Sequence, residues 1–413
     1  MEAWEEVPLR AVCSIDKAQG MHANLPYVGL EHIESGTSRF MGSLNPLSVK
    51  SSTFRFSNAH VLYGRLRPYL NKVLLPDFDG HCSTEIFPLL PSARLDRTFL
   101  CYWLSSSSIV AAIDATCTGA RMPRANMDKV LDFALPLPPI PEQRRIVAIV
   151  DETFEGIATA KVNAEKNLQS TRELVGIGYQ TIVGSFDQSQ WGRSPVADLA
   201  AASKGSMRTG PFGSQLLHSE FVDDGIAVLG IDNAVANEFR WDKRRYITEA
   251  KFRDLARYRV YPGDVLITIM GTCGRCAVVP DDIPLAINTK HLCCITLNRE
   301  KCLPDYLHLY FLHDPLARAY LAAQAKGSIM AGLNMGIISA LPVRLPPLDQ
   351  QANIVERFNS LQAECDRLAD VQARKLAALD ELKRSLLHQV FTGGLSSQDD
   401  RSTDGRGLQM CTQ

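Results

Sequence analysis

The feature that most constrains this chain is that it is written twice. The segment beginning at Gly119, GARMPRANMDKVLDFALPLPPIPEQRRIV, aligns without a gap on the segment beginning at Gly327, GSIMAGLNMGIISALPVRLPPLDQQANIV, at an offset of 208 residues. Ten of the 29 positions are identical, among them Asn126/Asn334, Pro138/Pro346, Pro139/Pro347, Gln143/Gln351 and Val147/Val355. Weaker anchors follow the same order in both halves. Trp4 and Pro8 match Trp191 and Pro195, YVGLEHI from Tyr27 matches VLGIDNA from Val228, and HVLYGRLR from His60 matches DVLITIMG from Asp264. Self-similarity at so long a period marks a repeated folding unit, and each unit reads as one globular domain followed by one helix.

The helices announce themselves after each Pro-Pro pair, where the apolar spacing becomes 3.5 residues. In the first copy the stripe is Ile146, Val150, Ile157, Ala160, Ala164 and Leu168. In the second it is Ile354, Phe358, Leu361, Cys365, Leu368, Gln372, Leu379, Leu382 and Leu386, with Leu368 and Leu379 expected to face the first helix. Pro141 suits a first helical turn, Asp349 can cap the second start, and Gly393-Gly394 stops it. Each helix is expected to have about 42 residues, or roughly 63 Å at 1.5 Å per residue. A stripe this thin cannot bury itself. The simplest partner is the other helix, antiparallel as a two-fold duplication permits; the alternative is that each helix serves a separate partner or a membrane.

The globular parts read as α+β. Runs at 227–231 and 265–270 are strand-like and bounded by Gly, Asp and Pro, whereas 99–104 and 306–312 read as buried helix. The expected organisation is a domain over 1–140, a long helix over 141–186, a second domain over 187–345, a second helix over 346–393, and a polar tail, 394–413, expected to be disordered.

Composition narrows the function. A chain of 413 residues with 46% hydrophobic and 22% charged residues is an ordinary globular protein of two or three domains. No run of 18 apolar residues occurs, and the acidic start MEAWEEVPLR lacks a signal-peptide core, so a cytoplasmic location is expected. Eleven scattered cysteines read as reduced thiols. A net charge of −1 argues against a non-specific polyanion binder but leaves a site-specific one open. The helical segments are slightly acidic and the globular segments neutral to slightly basic, so any nucleic-acid contact falls to the globular parts.

Catalytic signatures are missing. There is no GxxxxGK[ST] loop, no GxGxxG after a strand, no Asn/Asp-Pro-Pro-aromatic methyltransferase motif, no HExxH and no GxSxG. Cys273, Cys276, Cys293 and Cys294 could supply four thiolates to zinc, but adjacent cysteines rarely reach one metal, and buried thiols are the simpler reading. No metal site is therefore expected. Basic residues sit beside aromatics in both copies. The first has Arg65, Arg67 and Lys72 near Tyr63 and Tyr69, then Arg121 and Arg124; the second has Arg208, Lys243, Arg244 and Arg245 near Trp241, then Arg275, Lys290 and Lys326. Arginine forks suit guanine edges and lysine suits phosphate. A solvated basic surface is the alternative for any one of them.

The stretches GPFGSQL from Gly210, VLYGRLRPYLNKV from Val61, TGARMPRANM from Thr118, and the paired PLPPIPEQRRIV and RLPPLDQQANIV resemble specificity subunits of type I restriction–modification systems. The resemblance covers about residues 4–394, and the PPxxxQ-then-helix element, present twice, is its most specific part. It implies two target recognition domains, each reading one half of a bipartite double-stranded DNA sequence, spaced by an antiparallel coiled coil that docks two methyltransferase subunits. It implies further that restriction–translocation subunits join the complex, and that S-adenosylmethionine, ATP and Mg²⁺ sit on partner subunits, with no cofactor and no catalysis in this chain. The second copy has Asp349-Gln350-Gln351 where the first keeps Pro-Glu-Gln, which preserves a helix cap. The competing reading is a duplicated, non-enzymatic protein-interaction scaffold; a methyltransferase with a degenerate cofactor loop is a third.

Overall fold

A computed structural model describes residues 4–119, 121–241, 243–325 and 332–391. The expected helix stop at Gly393-Gly394, the tail over 394–413 and Lys326 lie outside the described residues. The chain divides into two compact units: one runs to Lys166 and resumes at Ala373, and the other is Asn167–Gln372.

Among the described residues the strands of the first unit are β1 (Glu5–Pro8), β2 (Cys13–Ile15), β3 (Gln19–Gly20), β4 (Tyr27–Val28), β5 (Thr53–Phe56), β6 (Val61–Gly64), β7 (Val73–Leu74), β8 (Gly80–Cys82), β9 (Ile86–Pro91) and β10 (Ala134–Leu137). Its short helices are α1 (Arg97–Ser105), α2 (Ser107–Asp114) and α3 (Met127–Val130), followed by the long α4 (Ile140–Gly184), whose residues from Asn167 on belong to the second unit. Antiparallel pairing of β1 with β10 brings the domain's two ends together. Two four-stranded sheets have the orders β2-β9-β6-β7 and β3-β5-β8-β4, the β4–β8 pair being parallel. Every residue of β6 is buried, as its unbroken apolar run requires of a strand covered on both faces.

The second unit repeats the plan with β11 (Gly192–Pro195), β12 (Met207–Thr209), β13 (Ile226–Leu229), β14 (Tyr246–Ile247), β15 (Arg259–Val260), β16 (Val265–Thr268), β17 (Cys276–Val278), β18 (Ala286–Asn288), β19 (Leu292–Ile295) and β20 (Pro342–Leu345). Helices α5 (Val196–Leu199), α6 (Glu249–Leu255), α7 (Pro304–His313), α8 (Pro315–Ala325) and α9 (Met335–Ala340) precede the long α10 (Leu348–Phe391). β11 closes on β20, and the first sheet, β12-β19-β16-β17, reproduces that of the first unit strand for strand. The second, β14-β13-β18-β15, shares three strands with its counterpart, but its fourth strand is added at the opposite edge.

The positions kept identical between the copies have visible duties. Asn126 and Asn334 are N-caps: their side chains accept from the backbone N–H of Lys129 (3.3 Å) and Ile337 (2.9 Å). Gln143 is fully buried; its amide donates to Arg94 O (2.9 Å) and Pro138 O (2.7 Å), and its oxygen accepts from Asp96 N–H (2.8 Å). Gln351 does the same with Lys301 O (3.0 Å), Pro346 O (2.9 Å) and Leu303 N–H (2.9 Å). The glutamine of PPxxxQ thus ties the first turn of each long helix to the chain entering α1 or α7, satisfying backbone groups that no strand or helix pairs.

Within each unit the two long helices run antiparallel. In the first, Lys161 of α4 pairs with Asp380 of α10 at 2.8 Å, and Ile146 and Val150 share a core with Leu387 and Val390. In the second, Arg357 donates to Ser185 at 2.9 Å, the Tyr179 and Phe358 rings lie 6.1 Å apart, and a Cβ on Gly178 would strike Leu361. The first stripe lies where expected: Ile146, Val150, Ile157 and Ala164 are buried. The second lies where expected at Ile354, Phe358 and Cys365, which are buried, and at Leu361, Gln372, Leu379 and Leu386, which are half-buried, and is corrected at two positions. Leu368 and Leu382 are 43% and 49% exposed, and the buried or half-buried series runs Gln351, Val355, Phe358, Gln362, Cys365, Ala369, Gln372, Leu376, Leu379. Its alternating four- and three-residue steps match those of Gln143, Val147, Val150, Phe154, Ile157, Lys161, Ala164, Leu168, Thr171 at the repeat offset. Polar and small residues occupy half of this seam, so at Leu368 and Leu382 apolarity pointed to positions just off it.

Candidate nucleic-acid interface

In each domain three segments distant in sequence are stitched into one corner. In the first, the Arg65 N–H donates to Glu85 O (2.9 Å), the Ala125 N–H to Arg65 O (2.9 Å) and the Arg67 N–H to Pro123 O (2.8 Å). The end of β6, the turn between β8 and β9, and the loop 118–125 are thereby joined. In the second domain the Ile269 N–H donates to His291 O and the Leu333 N–H to Ile269 O, both at 2.9 Å. The scaffold of the corner belongs to the repeat.

The side chains placed on it do not. In the first domain the Glu85 carboxylate accepts from Arg65 Nε (3.1 Å) and from both Nε (2.9 Å) and Nη2 (2.8 Å) of Arg124. Arg65 also lies over the Phe87 ring, 4.9 Å from its centroid. Burial by itself would raise the Glu85 pKa, but hydrogen bonds and charge from Arg124 and Arg65 together outweigh it and hold the carboxyl below its usual range. Beside this cluster Arg67 and Arg121 are exposed, as is Tyr69. Arg67 has φ 52 and ψ 64, a left-handed conformation that costs an L-residue about 1–2 kcal/mol. Such outliers gather at binding sites because the surroundings must enforce them.

In the second domain Lys290 and His291 stand where the first has Thr84 and Glu85, as the shared register of β9 and β19 against β6 and β16 requires. The tight connection from β16 to β17 carries positive-φ Gly271 and Gly274 and presents an exposed Arg275 beside a 41% exposed Met270. Burial, and then the Lys290 charge, lower the His291 pKa. Elsewhere in this domain Arg244 lies over Trp241 at 5.8 Å, next to an exposed Lys243.

Two expected contacts, Arg208 and Lys72, are placed differently from the rest. Arg208 is 7% exposed and its guanidinium is occupied by Asp264, Arg259 O and Thr296 Oγ1. An arginine in that setting is a core ion pair, which removes it from the interface. Lys72 is half-buried with Nζ on Leu30 O (2.6 Å) and braces that loop, whereas Arg245 pairs with Asp232 (2.6 Å) at the same partial exposure as the Arg65–Glu85 pair. Glu85 and His291 were missed, since an acid and a neutral imidazole carry no basic-patch signal. The four-cysteine arrangement is also resolved: Cys293 and Cys294, on successive positions of β19, enter different cores, as strand alternation demands. Burial raises the Cys293 thiol to about 12. Among the described residues no helix is long and apolar enough to cross a membrane.

A repeated αβ domain, each closed by its own end-strand pair and followed by a long helix, defines a class of two-domain, two-helix protein. The type I restriction modification DNA specificity domain matches residues 1–168 and 246–375, and the chain belongs to that family. The specificity subunit of the type I restriction enzyme EcoDI from Escherichia coli is 30% identical over 155 residues, covering 37% of this chain and 34% of that protein. The EcoBI specificity subunit from Escherichia coli is 22% identical over 314 residues, 70% of this chain and 64% of that one. The chain therefore spans about a third and somewhat under two thirds of these two relatives. The MjaVIII specificity subunit of Methanocaldococcus jannaschii is 20% identical over 388 residues, 89% and 85% of the two chains. Among solved structures, a chain of a type I restriction–modification system superposes with TM-score 0.75 at 20% identity, covering 96% of this chain and 99% of that one. The HsdS subunit from Thermoanaerobacter tengcongensis gives 0.61 at 20% identity, covering 95% and 97%.

Proposed function

We propose that this chain is the DNA specificity subunit of a type I restriction–modification complex. Each globular domain reads one half of a bipartite double-stranded target with the loops of its stitched corner, and the chain itself catalyses nothing. The observation that carries this reading is the repetition of one backbone corner, on one scaffold, with different cationic side chains: Arg65, Arg67, Arg121 and Arg124 in the first copy, Arg275 and Lys290 in the second. Two copies of a scaffold with divergent side chains suit two unlike half-sites.

The long helices fix the half-site spacing and dock two methyltransferase subunits, with restriction–translocation subunits joining them. Leu174 of α4 and Leu382 of α10 occupy equivalent repeat positions and are 48% and 49% exposed. S-adenosylmethionine, ATP and Mg²⁺ belong to the partners, and the assembly works on chromosomal DNA in the cytoplasm.

Mapping modified bases in cells that express the chain with its methyltransferase subunits tests the proposal. An asymmetric bipartite site is expected. Arg67→Ala or Arg121→Ala relaxes only its first half and Arg275→Ala only its second, each by about 1–3 kcal/mol where a base edge is read. DNA affinity indifferent to sequence and to salt would favour the protein-interaction scaffold instead.

A further inference from the structure

The chemistry of Glu85 has no place in a simple basic patch. A carboxylate at the centre of a DNA-facing corner opposes phosphate binding, yet this one is 22% exposed and accepts from two arginines that reach it from opposite sides in sequence. Arg65 leads out of β6, and Arg124 closes the loop 118–125, whose backbone is held by the Thr118–Arg124 pair at 3.2 Å in both directions. Arg124 uses Nε and Nη2 on the carboxylate and Arg65 uses Nε. Each therefore retains Nη hydrogens pointing away from Glu85, in a plane fixed by the carboxylate and, for Arg65, by Phe87. A guanidinium read against guanine needs this kind of fixed plane, because bidentate pairing is lost when the fork rotates.

We infer that Glu85 is a specificity-positioning residue of the first domain: it holds Arg65 and Arg124 in one preorganised fork for base edges of the first half-site. The second domain works without it, since Ile269, His291 and Gly332 stand at the three equivalent positions. The inference rests on the specificity-subunit reading and deepens it. Glu85 also lowers non-specific attraction by offsetting one positive charge, so discrimination is raised from both directions.

The test uses the whole chain in complex with its methyltransferase subunits. Wild-type complex that marks no bipartite sequence would defeat the specificity-subunit reading itself. With wild type marking such a site, Glu85→Gln should lower discrimination at the first half-site on the order of tenfold and leave the second unchanged. It should also steepen the salt dependence of non-specific binding by about one charge, a change that a merely structural role would not produce. Arg124→Lys keeps the charge but loses the fork, so it should relax the same base positions with an unaltered salt slope. Unchanged first-half discrimination in either variant, or equal loss at both halves, overturns the inference.

Discussion

The two globular domains solve one backbone problem twice and one electrostatic problem in two ways. Register makes Ile15 equivalent to Met207 and Val61 to Val265, so Asp16 corresponds to Arg208 and His60 to Asp264. In the first domain the acid lies on the strand end and His60 Nε2 is 3.5 Å from it, with the Asp16 side chain 40% exposed. In the second the polarity is exchanged and the pair is buried, with Arg208 at 7% and Asp264 at 1% exposure. The stitched corner shows the same exchange: a carboxylate holding two arginines in one copy, a Lys-His step in the other. By contrast Gln143/Gln351 and Asn126/Asn334 keep both identity and partners. Duplicated folds keep what sets backbone geometry and vary what meets the ligand, because a backbone group left unpaired is penalised whatever the target.

Four measurements would break or sharpen this comparison. The largest effect is expected at the exchanged pair. Arg208→Ala strands Asp264, which also accepts from Thr296 Oγ1 (2.6 Å) and Tyr261 N–H (2.9 Å); loss of a buried partner costs about 3–5 kcal/mol. Asp16→Ala, whose carboxylate is 40% exposed although the His60 it faces is buried, should cost less, about 1 kcal/mol. Equal losses in chemical denaturation would mean that the pairs are not counterparts in different settings.

Gln143→Ala and Gln351→Ala come next, with equal expected losses of about 2–3 kcal/mol, because each leaves buried backbone groups without partners. A difference above about 1 kcal/mol between them would contradict the matched roles. The third measurement concerns acid. Burial, with smaller contributions from His308 and Arg318, lowers the His313 pKa to about 4, and its ring packs between Tyr179 and Phe358 at 5.8 and 4.7 Å. The corresponding position in the first unit is Ser106, aligned through the glutamine contacts at Asp96 and Leu303. Unfolded chain binds this proton near pH 6.5 while the folded unit does not until about pH 4, so the second unit loses stability as pH falls across that window. His313→Phe should flatten that slope; hydrogen exchange showing the slope unaltered would reject His313 as its source.

The smallest effect is expected for Leu368→Ala, whose exposure predicts a change within about 0.5 kcal/mol, against about 3–5 kcal/mol for the buried Phe358→Ala. A large loss at Leu368 would place the seam on the neighbouring helix face.

Sequence by itself determined the duplication, the α+β content, the places where the two long helices start, and the invariant Gln and Asn pairs. Those signals are local: a repeat, a 3.5-residue spacing and a capping residue each declare themselves within a few turns of chain. Tertiary structure decided the rest. Where the seam runs past Cys365 could not be read from Leu368 and Leu382, because it passes through Gln362 and Ala369, which carry no apolar signal of their own. Nor could the fate of the basic residues. Arg208 and Arg275 look alike in sequence, and only strand pairing buries the first against Asp264 and leaves the second on an open turn. Glu85 was invisible for the same reason. Its meaning lies in Arg65 and Arg124, 20 and 39 residues away, and contacts of that separation are set by strand register and loop closure, which no local pattern encodes.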